Sequence, residues 1–393
     1  MASNAKNLAE LLNQDSTVAV GDIADGSVTT AKLAADAVTA AKLADNAVVT
    51  ANISDSAVTS GKVNPAGLNL GRRNIIINGD MSIAQRTASA VTINSGTIQY
   101  GIDRFGARGM SSAGVFTIEQ STDSPTNFVN SFKATVTTAD SSIASNATYR
   151  VVQHIEGNMI RNLNWGTAQA RDVTLSFKVK SSLTGTFGGA IINGDYNRFY
   201  NFSYTISSAN TWTDVSVTID GDTSGTWVTN NTLGIRLSLS LGAGSGEVGS
   251  AGSWGTATYE GVTGQTNLIA TNGATWQITG VQLEVGSTAT DFEHRSIGEE
   301  LLLCQRYYCE VKYNIQGYPP SGGYADENMH WPVNMRASPS IVRSGGTLGG
   351  TGGIIGTQTY NINNIGCRAE LQTNANFGRM YEFDGTMKAS AEL

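Results

Sequence analysis

The chain has 393 residues and a formal net charge of −7, and charged residues make up 15% of it. This charge content is well below the roughly 25% of ordinary soluble domains, which argues against a long helical or coiled-coil protein, while a hydrophobic share of 40% excludes wholesale disorder. Lys and Arg total 25 and are absent between Leu237 and Glu293, and no apolar run approaches a membrane span. We therefore expect a β-rich protein that neither binds nucleic acid nor inserts into a membrane.

Residues 1–20 are predicted to form a short attachment segment. Leu8, Leu11 and Leu12 fall on one helical face after Ser3 or Asn4, either of which can cap a helix. The alternative is a frayed terminus. No apolar core of the secretory type occurs in this segment, so with three cysteines in the whole chain we expect synthesis in a reducing cytoplasm.

Residues 21–70 contain a ten-residue repeat with a large apolar residue at every fifth position. A spacing of five gives no stripe on a helix and alternates faces on an extended strand, so one chain cannot bury these side chains. Several parallel, in-register copies can, which predicts a multichain stalk rather than a flexible linker. The predicted stalk core consists of Ile23, Val28, Leu33, Val38, Leu43, Val48, Ile53 and Val58.

Residues 71–295 show the period-two alternation of half-buried strands. The clearest runs are Val173 to Val179, Val215 to Ile219 and Leu233 to Leu241. A fourth run, from Trp276 to Val285, slips by one residue at Gly280, which predicts a β-bulge. Several antiparallel strands joined by Gly/Asn/Asp turns predict a β-sandwich of the jelly-roll type.

Residues 296–309 are predicted to form a connecting helix. Ser296 and Glu299 have capping-box spacing, and Ile297, Leu301, Cys304 and Tyr308 then share one face. Cys304 and Cys309 are expected to be buried free thiols. Residues 310–393 are predicted to form a small β domain, in which the glycines between 345 and 356 are either a long flexible loop or a tight packing surface between three chains.

Catalytic and metal chemistry find little support in the sequence. His154, His294 and His330 lack metal-ligand spacing, and no GxSxG elbow occurs. Asp220 and Asp222 fit an ordinary turn better than a calcium site. We expect no cofactor, no metal ion and no catalytic residue. Carboxylates of the middle block are expected to have structural or solvated roles, namely those of Glu156, Asp195, Glu260, Glu284 and Glu293.

Sugar binding is compatible with the composition, because aromatic rings cover the apolar faces of sugars while Asn, Asp and Gln bond their hydroxyls. Two clusters combine these residue types. We assign Trp165, Trp212, Trp227 and Trp276 to the core or to contacts between chains. The candidate receptor-binding residues are Tyr196, Phe199 and Tyr200 in the middle block and Tyr318, Tyr324, His330 and Trp331 in the C-terminal block.

Several stretches resemble bacteriophage tail fibres. The repeat GSVTTAKLAADAV (26–38) is similar to fibre stalks, and NIIINGDMSIAQR (74–86), YGIDRF (100–105), QHIEG (153–157), ITGVQLEVG (278–286) and ATDFEHR (289–295) resemble a segment of phage tail proteins. EELLLCQRYY (299–308) and PVNMRASP (332–339) resemble the C-terminal continuation of that segment in the same proteins. The resemblance thus covers most of the chain.

The resemblance implies a parallel homotrimer with a jelly roll similar to carbohydrate-binding modules and a C-terminal tip. It implies a virion protein, assembled in the host cytoplasm, that is anchored to a tail or baseplate protein by its N-terminus and adsorbs to a bacterial surface receptor such as a glycan. Three copies of a weak sugar site would gain avidity. The alternatives are a tail-spike depolymerase and a purely structural collar or baseplate protein.

Overall fold

A computed structural model of the chain describes residues 29, 33, 38, 39, 53, 72–94, 96–111, 113–318, 323–350, 354–373 and 380–393. The chain divides into two compact units, Met1–Asn64 and Pro65–Leu393. All the helices and strands given below belong to the second unit.

The part of this unit before residue 296 is built from short and medium strands. Their bounds are β1 Val91–Ile93, β2 Gln99–Tyr100, β3 Phe105–Met110, β4 Val115–Ser121, β5 Ser131–Thr138, β6 Thr148–Glu156, β7 Val173–Ser181, β8 Gly185–Asn193, β9 Phe199–Ile206, β10 Thr213–Ile219, β11 Leu233–Ala243, β12 Val248–Gly249, β13 Trp254–Gly255, β14 Gly261–Val262 and β15 Thr275–Val285. Single turns of 3₁₀ helix lie at Gly157–Met159, Arg161–Leu163 and Leu268–Ala270.

These strands form two facing sheets. One has six strands in the order β1-β4-β5-β15-β7-β10, and the other has seven in the order β13-β9-β8-β11-β6-β3-β2. Large apolar side chains fill the space between them, with Phe105, Phe132 and Trp276 fully buried. The predicted β-sandwich and its four alternating runs are confirmed, because the runs coincide with β7, β10, β11 and β15. Trp165, Trp227 and Trp276 are buried, as predicted.

The predicted bulge is also confirmed. The register between β15 and β7 shifts between Thr279 and Gln282. Gly280 at this point has φ +62°, in the left-handed region that glycine adopts without strain. The bulge restores the apolar phase, so that Val281 and Leu283 both point into the core.

The run from Leu233 to Leu241 is predicted as a half-buried strand, but the polar face of β11 is covered as well. Arg236 is 4% exposed and Ser238 is fully buried, because Glu260 from the segment before β14 lies over this face. The Glu260 carboxylate contacts Arg236 Nη2 at 2.7 Å and Arg150 Nη1 on β6 at 2.7 Å. Arg236 and Arg150 on this sheet are thus paired with the chain's own Glu260.

The connecting helix α1 spans Ile297–Gln305, and Ser296 caps it by accepting a hydrogen bond from the Glu299 amide at 3.2 Å. The predicted start is confirmed and the predicted end at 309 is wrong. On the predicted face Cys304 is buried and Leu301 packs against the core, but Ile297 does not. Tyr308 begins the next strand and Ile297 is 63% exposed. The helix is held by Cys304 and by Glu300, whose buried carboxylate accepts the Asn78 amide.

The C-terminal strands are β16 Tyr308–Gly317, β17 Tyr324–His330, β18 Ser340–Gly350, β19 Ile354–Tyr360, β20 Gly366–Thr373 and β21 Met380–Ser390. They form two antiparallel sheets in the orders β16-β21-β18 and β17-β20-β19, over a core that includes Tyr313, Met335 and Leu371. Residues 345–350 and 354–356 belong to β18 and β19, so the flexible-loop interpretation is wrong for them.

The end of the chain packs against the sandwich. Glu392 pairs with the buried Arg104, and the backbone oxygen of Leu393 lies 2.7 Å from Nδ1 of His154 on β6. These contacts connect the C-terminal strands to the seven-stranded sheet within one compact unit.

Candidate functional site

A groove of about 490 Å³ lies on the outer side of the six-stranded sheet, where β7 pairs with β10. The bulge of β15 and the segment 289–294 form its other side. It is lined by Asn127, Phe128, Ser176, Phe177, Lys178, Asp214, Val215, Ser216, Gly280, Ala289, Thr290, Asp291, Phe292 and His294.

Three aromatic rings form one wall of this groove. The ring centroids of Phe128 and Phe292 are 5.2 Å apart, and the His294 ring lies 5.3 Å from Phe128 and 4.9 Å from Phe292. The two phenylalanines are half-buried and His294 is exposed. The wall therefore presents apolar ring surface that is partly open to solvent.

The β-bulge gives Phe128 its place in the wall. A Cβ atom on Gly280 would lie 2.8 Å from Cζ of Phe128, so glycine is required for the ring to pack this closely. The turn before Phe128 holds its backbone, since its amide donates to the Pro125 carbonyl at 3.1 Å and its carbonyl accepts from Ser124 Oγ at 2.7 Å.

The floor of the groove is polar. Lys178 and Asp214 are cross-strand partners, and Lys178 Nζ lies 2.6 Å from Asp214 Oδ1. Ser176 and Ser216 form the next pair on the same face. The Asp214 side chain is 80% exposed, and such a pair contributes at most about 1 kcal/mol. A ligand can therefore replace it at small cost.

The rim at 289–294 is fixed by two buried side chains of β15. Glu284 accepts from the Thr290 amide at 2.8 Å and from Thr290 Oγ1 at 2.7 Å. Gln282 Oε1 accepts from the Glu293 amide at 2.8 Å. Because these groups are already bonded inside the fold, the rim is ordered before any ligand arrives.

This arrangement combines an aromatic wall with hydroxyl, amide, ammonium and carboxylate groups. Ring faces take up apolar C–H surface, and the polar groups exchange hydrogen bonds with hydroxyls. The groove is therefore suited to a polyhydroxylated ligand. Sequence reasoning missed it because Phe128 and Phe292 meet only in the folded chain, although Phe292 and His294 stand in the stretch ATDFEHR, which resembles phage tail proteins.

Some of the predicted receptor-binding residues are exposed. Tyr318 is 67% exposed, Tyr324 is 53% exposed and Tyr196 is 43% exposed, and His330 also faces solvent. Arginine side chains lie over two of these rings, Arg236 over Tyr196 and Arg368 over Tyr324. In each pair the arginine Cζ is 4.8 Å from the ring centroid. None of the four lines the groove.

Three other predicted receptor-binding residues are corrected, because their rings are packed inside the fold. Trp331 is 5% exposed in the C-terminal core, and its Nε1 donates to the Asn363 carbonyl at 2.9 Å. Phe199 is 3% exposed and packs with Ala190 and Ile192. Tyr200 is 5% exposed and packs edge to face with Trp254, with the two ring centroids 5.3 Å apart.

The predictions for the N-terminal unit lie largely outside the described residues. This applies to the attachment residues Leu8, Leu11 and Leu12, and to stalk positions Ile23, Val28, Leu43, Val48 and Val58. Within the described residues, Leu33 is 45% exposed, Val38 is 53% exposed and Ile53 is 42% exposed in the single chain.

The carboxylates considered for catalysis have structural partners in four of five cases. Glu156 pairs with Arg306, Glu260 with two arginines, and Glu284 and Glu293 accept backbone hydrogen bonds. Among the described residues no group of three or more His, Cys, Asp or Glu is placed to hold a metal ion. In the same part of the chain no helix is long and apolar enough to span a membrane.

No family model matches the chain, and no curated protein matches it either. Solved structures that resemble it include an enzymatically active domain of bacteriophage CBA120 tailspike protein 4, at 11% identity and a TM-score of 0.28, covering 55% of this chain and 22% of that one. A protein from Bacteroides thetaiotaomicron that is described as sugar-binding matches at 15% identity and a TM-score of 0.30, covering 54% of this chain and 100% of that one. A family 11 carbohydrate-binding module of Clostridium thermocellum matches at 11% identity and a TM-score of 0.27, covering 50% of this chain and 96% of that one.

Proposed function

We propose that this protein is a non-enzymatic tail fibre that mediates bacteriophage adsorption by binding a glycan on the bacterial surface. The observation that carries the proposal is the groove of Phe128, Phe292 and His294, in which an aromatic wall faces the polar row of Lys178 and Asp214. The sugar ring stacks on the aromatic wall and its hydroxyls bond the polar row.

The affinity of one groove is expected to be modest. It is open along one side and its aromatic rings are only partly exposed, so a sugar buries limited area. Adsorption then depends on several copies acting together, which raises the overall affinity without new contacts. A parallel homotrimer formed through the repeat at residues 21–70 supplies this multivalency.

The test of glycan binding uses the full chain and an array of purified bacterial surface polysaccharides, followed by titration of the best ligand. His294→Ala removes an exposed ring and Phe292→Ala a half-buried one, and each is expected to weaken binding about tenfold. Val129→Ala is the matched control, because Val129 is 77% exposed and does not line the groove. Binding unchanged in both ring variants would place the receptor site elsewhere, and Tyr324→Ala then tests the C-terminal candidates.

The absence of hydrolysis is part of the proposal. It is supported by the structural partners of Glu156, Glu260, Glu284 and Glu293, which engage those carboxylates inside the fold. Incubation with the bound polysaccharide is expected to release no reducing ends. Their appearance would instead favour a depolymerase.

The repeat at residues 21–70 is the basis for proposing a trimer. Leu8, Leu11 and Leu12 are the basis for proposing that residues 1–20 attach to a tail or baseplate protein, which would place the protein in the virion tail. Light scattering on the full chain is expected to give three times the 41.3 kDa chain mass. Leu33→Ser, at an exposed stalk position, is expected to weaken the trimer, while a monomeric wild type would refute it.

A further inference from the structure

A second cavity, of about 360 Å³, lies away from the groove. It is bordered by the segment 72–75, the two 3₁₀ turns after β6, the end of β15 and one side of α1. This volume falls in the range of about 300–1,000 Å³ that is usual for small-molecule sites. The lining residues are Arg72, Arg73, Asn74, Ile75, Met159, Asn162, Arg171, Val285, Arg295, Glu299 and Leu303.

The hydrogen-bond donors of the cavity are unequally engaged by the rest of the fold. Nε of Arg73 is buried and has no hydrogen-bond partner. The Arg171 side chain has no hydrogen bond or ion pair within the described residues, and the same holds for the side-chain amide of Asn162. The backbone of Arg171 is nevertheless fixed, because its amide donates to Leu163 at 2.8 Å and its carbonyl accepts from Trp165 Nε1 at 2.7 Å.

The other charged groups of the cavity are already engaged. Arg295 donates to the Asn74 carbonyl and to the Ile76 carbonyl, and it faces Glu293 and Glu300. Arg72 pairs with Glu299 at 3.3 Å on the exposed rim. Arg73 is engaged as well, because its Nε pairs with the Glu284 carboxylate at 3.6 Å and its Nη2 donates to the Asp291 carbonyl at 2.6 Å. Among the described residues, Arg171 is therefore the arginine of the cavity without an acidic partner.

Apolar side chains form the rest of the wall, namely Ile75, Met159, Val285 and Leu303. A ligand that fits must combine an apolar surface with an anionic group that accepts hydrogen bonds. Guanidinium groups bind carboxylates through paired, charge-assisted hydrogen bonds. A sugar ring that carries a carboxylate meets both requirements, since its C–H face covers the apolar wall.

We infer that this cavity is a second saccharide site, which binds the carboxylate of an acidic sugar residue through Arg171, with Asn162 bonding a hydroxyl. The inference rests on the proposed glycan binding but concerns a site separate from the groove. It makes the protein selective for acidic over neutral surface glycans.

The experiment titrates the full chain with methyl glucuronide and with methyl glucoside, which lacks the carboxylate, by saturation-transfer NMR. The glucuronide is expected to bind at least tenfold more tightly. Arg171→Gln and Asn162→Asp, both at exposed positions, are expected to remove this preference. Arg368→Gln is the matched control, because it removes an arginine charge from the C-terminal domain, outside the cavity.

Four outcomes overturn the inference. The first is equal binding of the two sugars, and the second is an equal effect of Arg171→Gln and Arg368→Gln on glucuronide binding. The third is loss of glucuronide binding in Phe292→Ala but not in Arg171→Gln. The fourth is displacement of the glucuronide by a glutamate-rich peptide at a concentration below that of the sugar. The third outcome leaves the proposed glycan binding intact, because it assigns the acidic sugar to the groove. The last assigns the cavity to an acidic protein segment.

Discussion

Arg306, directly after α1, donates two hydrogen bonds to the buried carboxylate of Glu156 on β6, from Nη2 at 2.6 Å and from Nε at 3.0 Å. Glu156 also accepts from Tyr307 Oη at 3.0 Å and from Asn158 Nδ2 at 2.7 Å. The hydrogen bonds from Arg306 and its neighbours hold the pKa of this carboxyl below its usual range, despite the opposing effect of burial. This contact connects the sandwich to the C-terminal strands.

We predict that Arg306→Met lowers the free energy of unfolding by about 2 kcal/mol, because it leaves Glu156 with two of its donors in a buried site. Chemical denaturation measures this loss, and Glu156→Gln in the Arg306→Met background is expected to recover part of it. Lys133→Met is the control, since its pair with Glu119 at 2.9 Å is partly exposed and should be worth less than about 1 kcal/mol. Equal losses in the lysine and arginine variants would contradict a special role for the Arg306 contact.

Gly280→Ala is predicted to damage both the fold and the groove. The new Cβ meets Phe128 at 2.8 Å at a residue with φ +62°, so the ring must move away from the wall. Gly273→Ala is the matched control, because Gly273 has φ +76° and open space around it. We expect a loss of about 1 kcal/mol for the control from backbone strain alone.

The loss for Gly280→Ala is expected to be larger than that of Gly273→Ala, and it should be accompanied by weaker glycan binding. Thermal denaturation and the glycan titration measure the two effects. Equal stability losses and equal binding in the two variants would show that Phe128 does not depend on the bulge.

Stability is predicted to depend on the titration of His154. Burial lowers the pKa of this imidazole to about 3, and the nearby arginines act in the same direction. Below pH 6.5 the unfolded chain binds a proton that the folded chain does not, so the free energy of unfolding falls as pH decreases from 6.5 toward 3. The slope from this group is up to about 1.4 kcal/mol per pH unit.

Asp103 acts in the opposite direction, because burial raises its pKa to about 6 and the folded chain then binds the proton first as pH falls. Comparing wild type with His154→Asn at each pH isolates the histidine, since Asp103 is common to both. The stability advantage of the wild type is expected to shrink below about pH 6.5. A difference that stays constant from about pH 7.5 to about pH 4.5 would disprove this assignment.

The three cysteines are predicted to be unreactive in the folded protein. Cys304, Cys309 and Cys367 are free and buried, and burial raises the pKa of Cys309 to about 12 and that of Cys367 to about 11. Because the thiolate is the reactive form, a disulfide reagent at about pH 8 should modify no thiol before unfolding and all three after it. Rapid modification of any thiol in the folded chain would contradict this burial.

The fold of the middle block was predictable because it depends on local patterns. The alternation from Val173 to Val179 identified β7, and the phase slip at Gly280 identified the bulge. The Ser296 cap identified the start of α1. Each of these features involves residues a few positions apart, whose preferences do not depend on the rest of the chain.

The structure alone decided which side chains remain accessible. Trp331 and Tyr200 have the composition of sugar-binding residues but lie in cores. Arg236 alternates like a solvated residue but lies under Glu260.

The groove of Phe128, Phe292 and His294 depends on contacts between distant segments of the chain. The sequence by itself determined the repeat, the strands and the sandwich, since these result from periodicity. The tertiary structure determined which faces are covered and which rings meet, because burial depends on what packs above a strand, and a residue's own neighbours in sequence do not specify that.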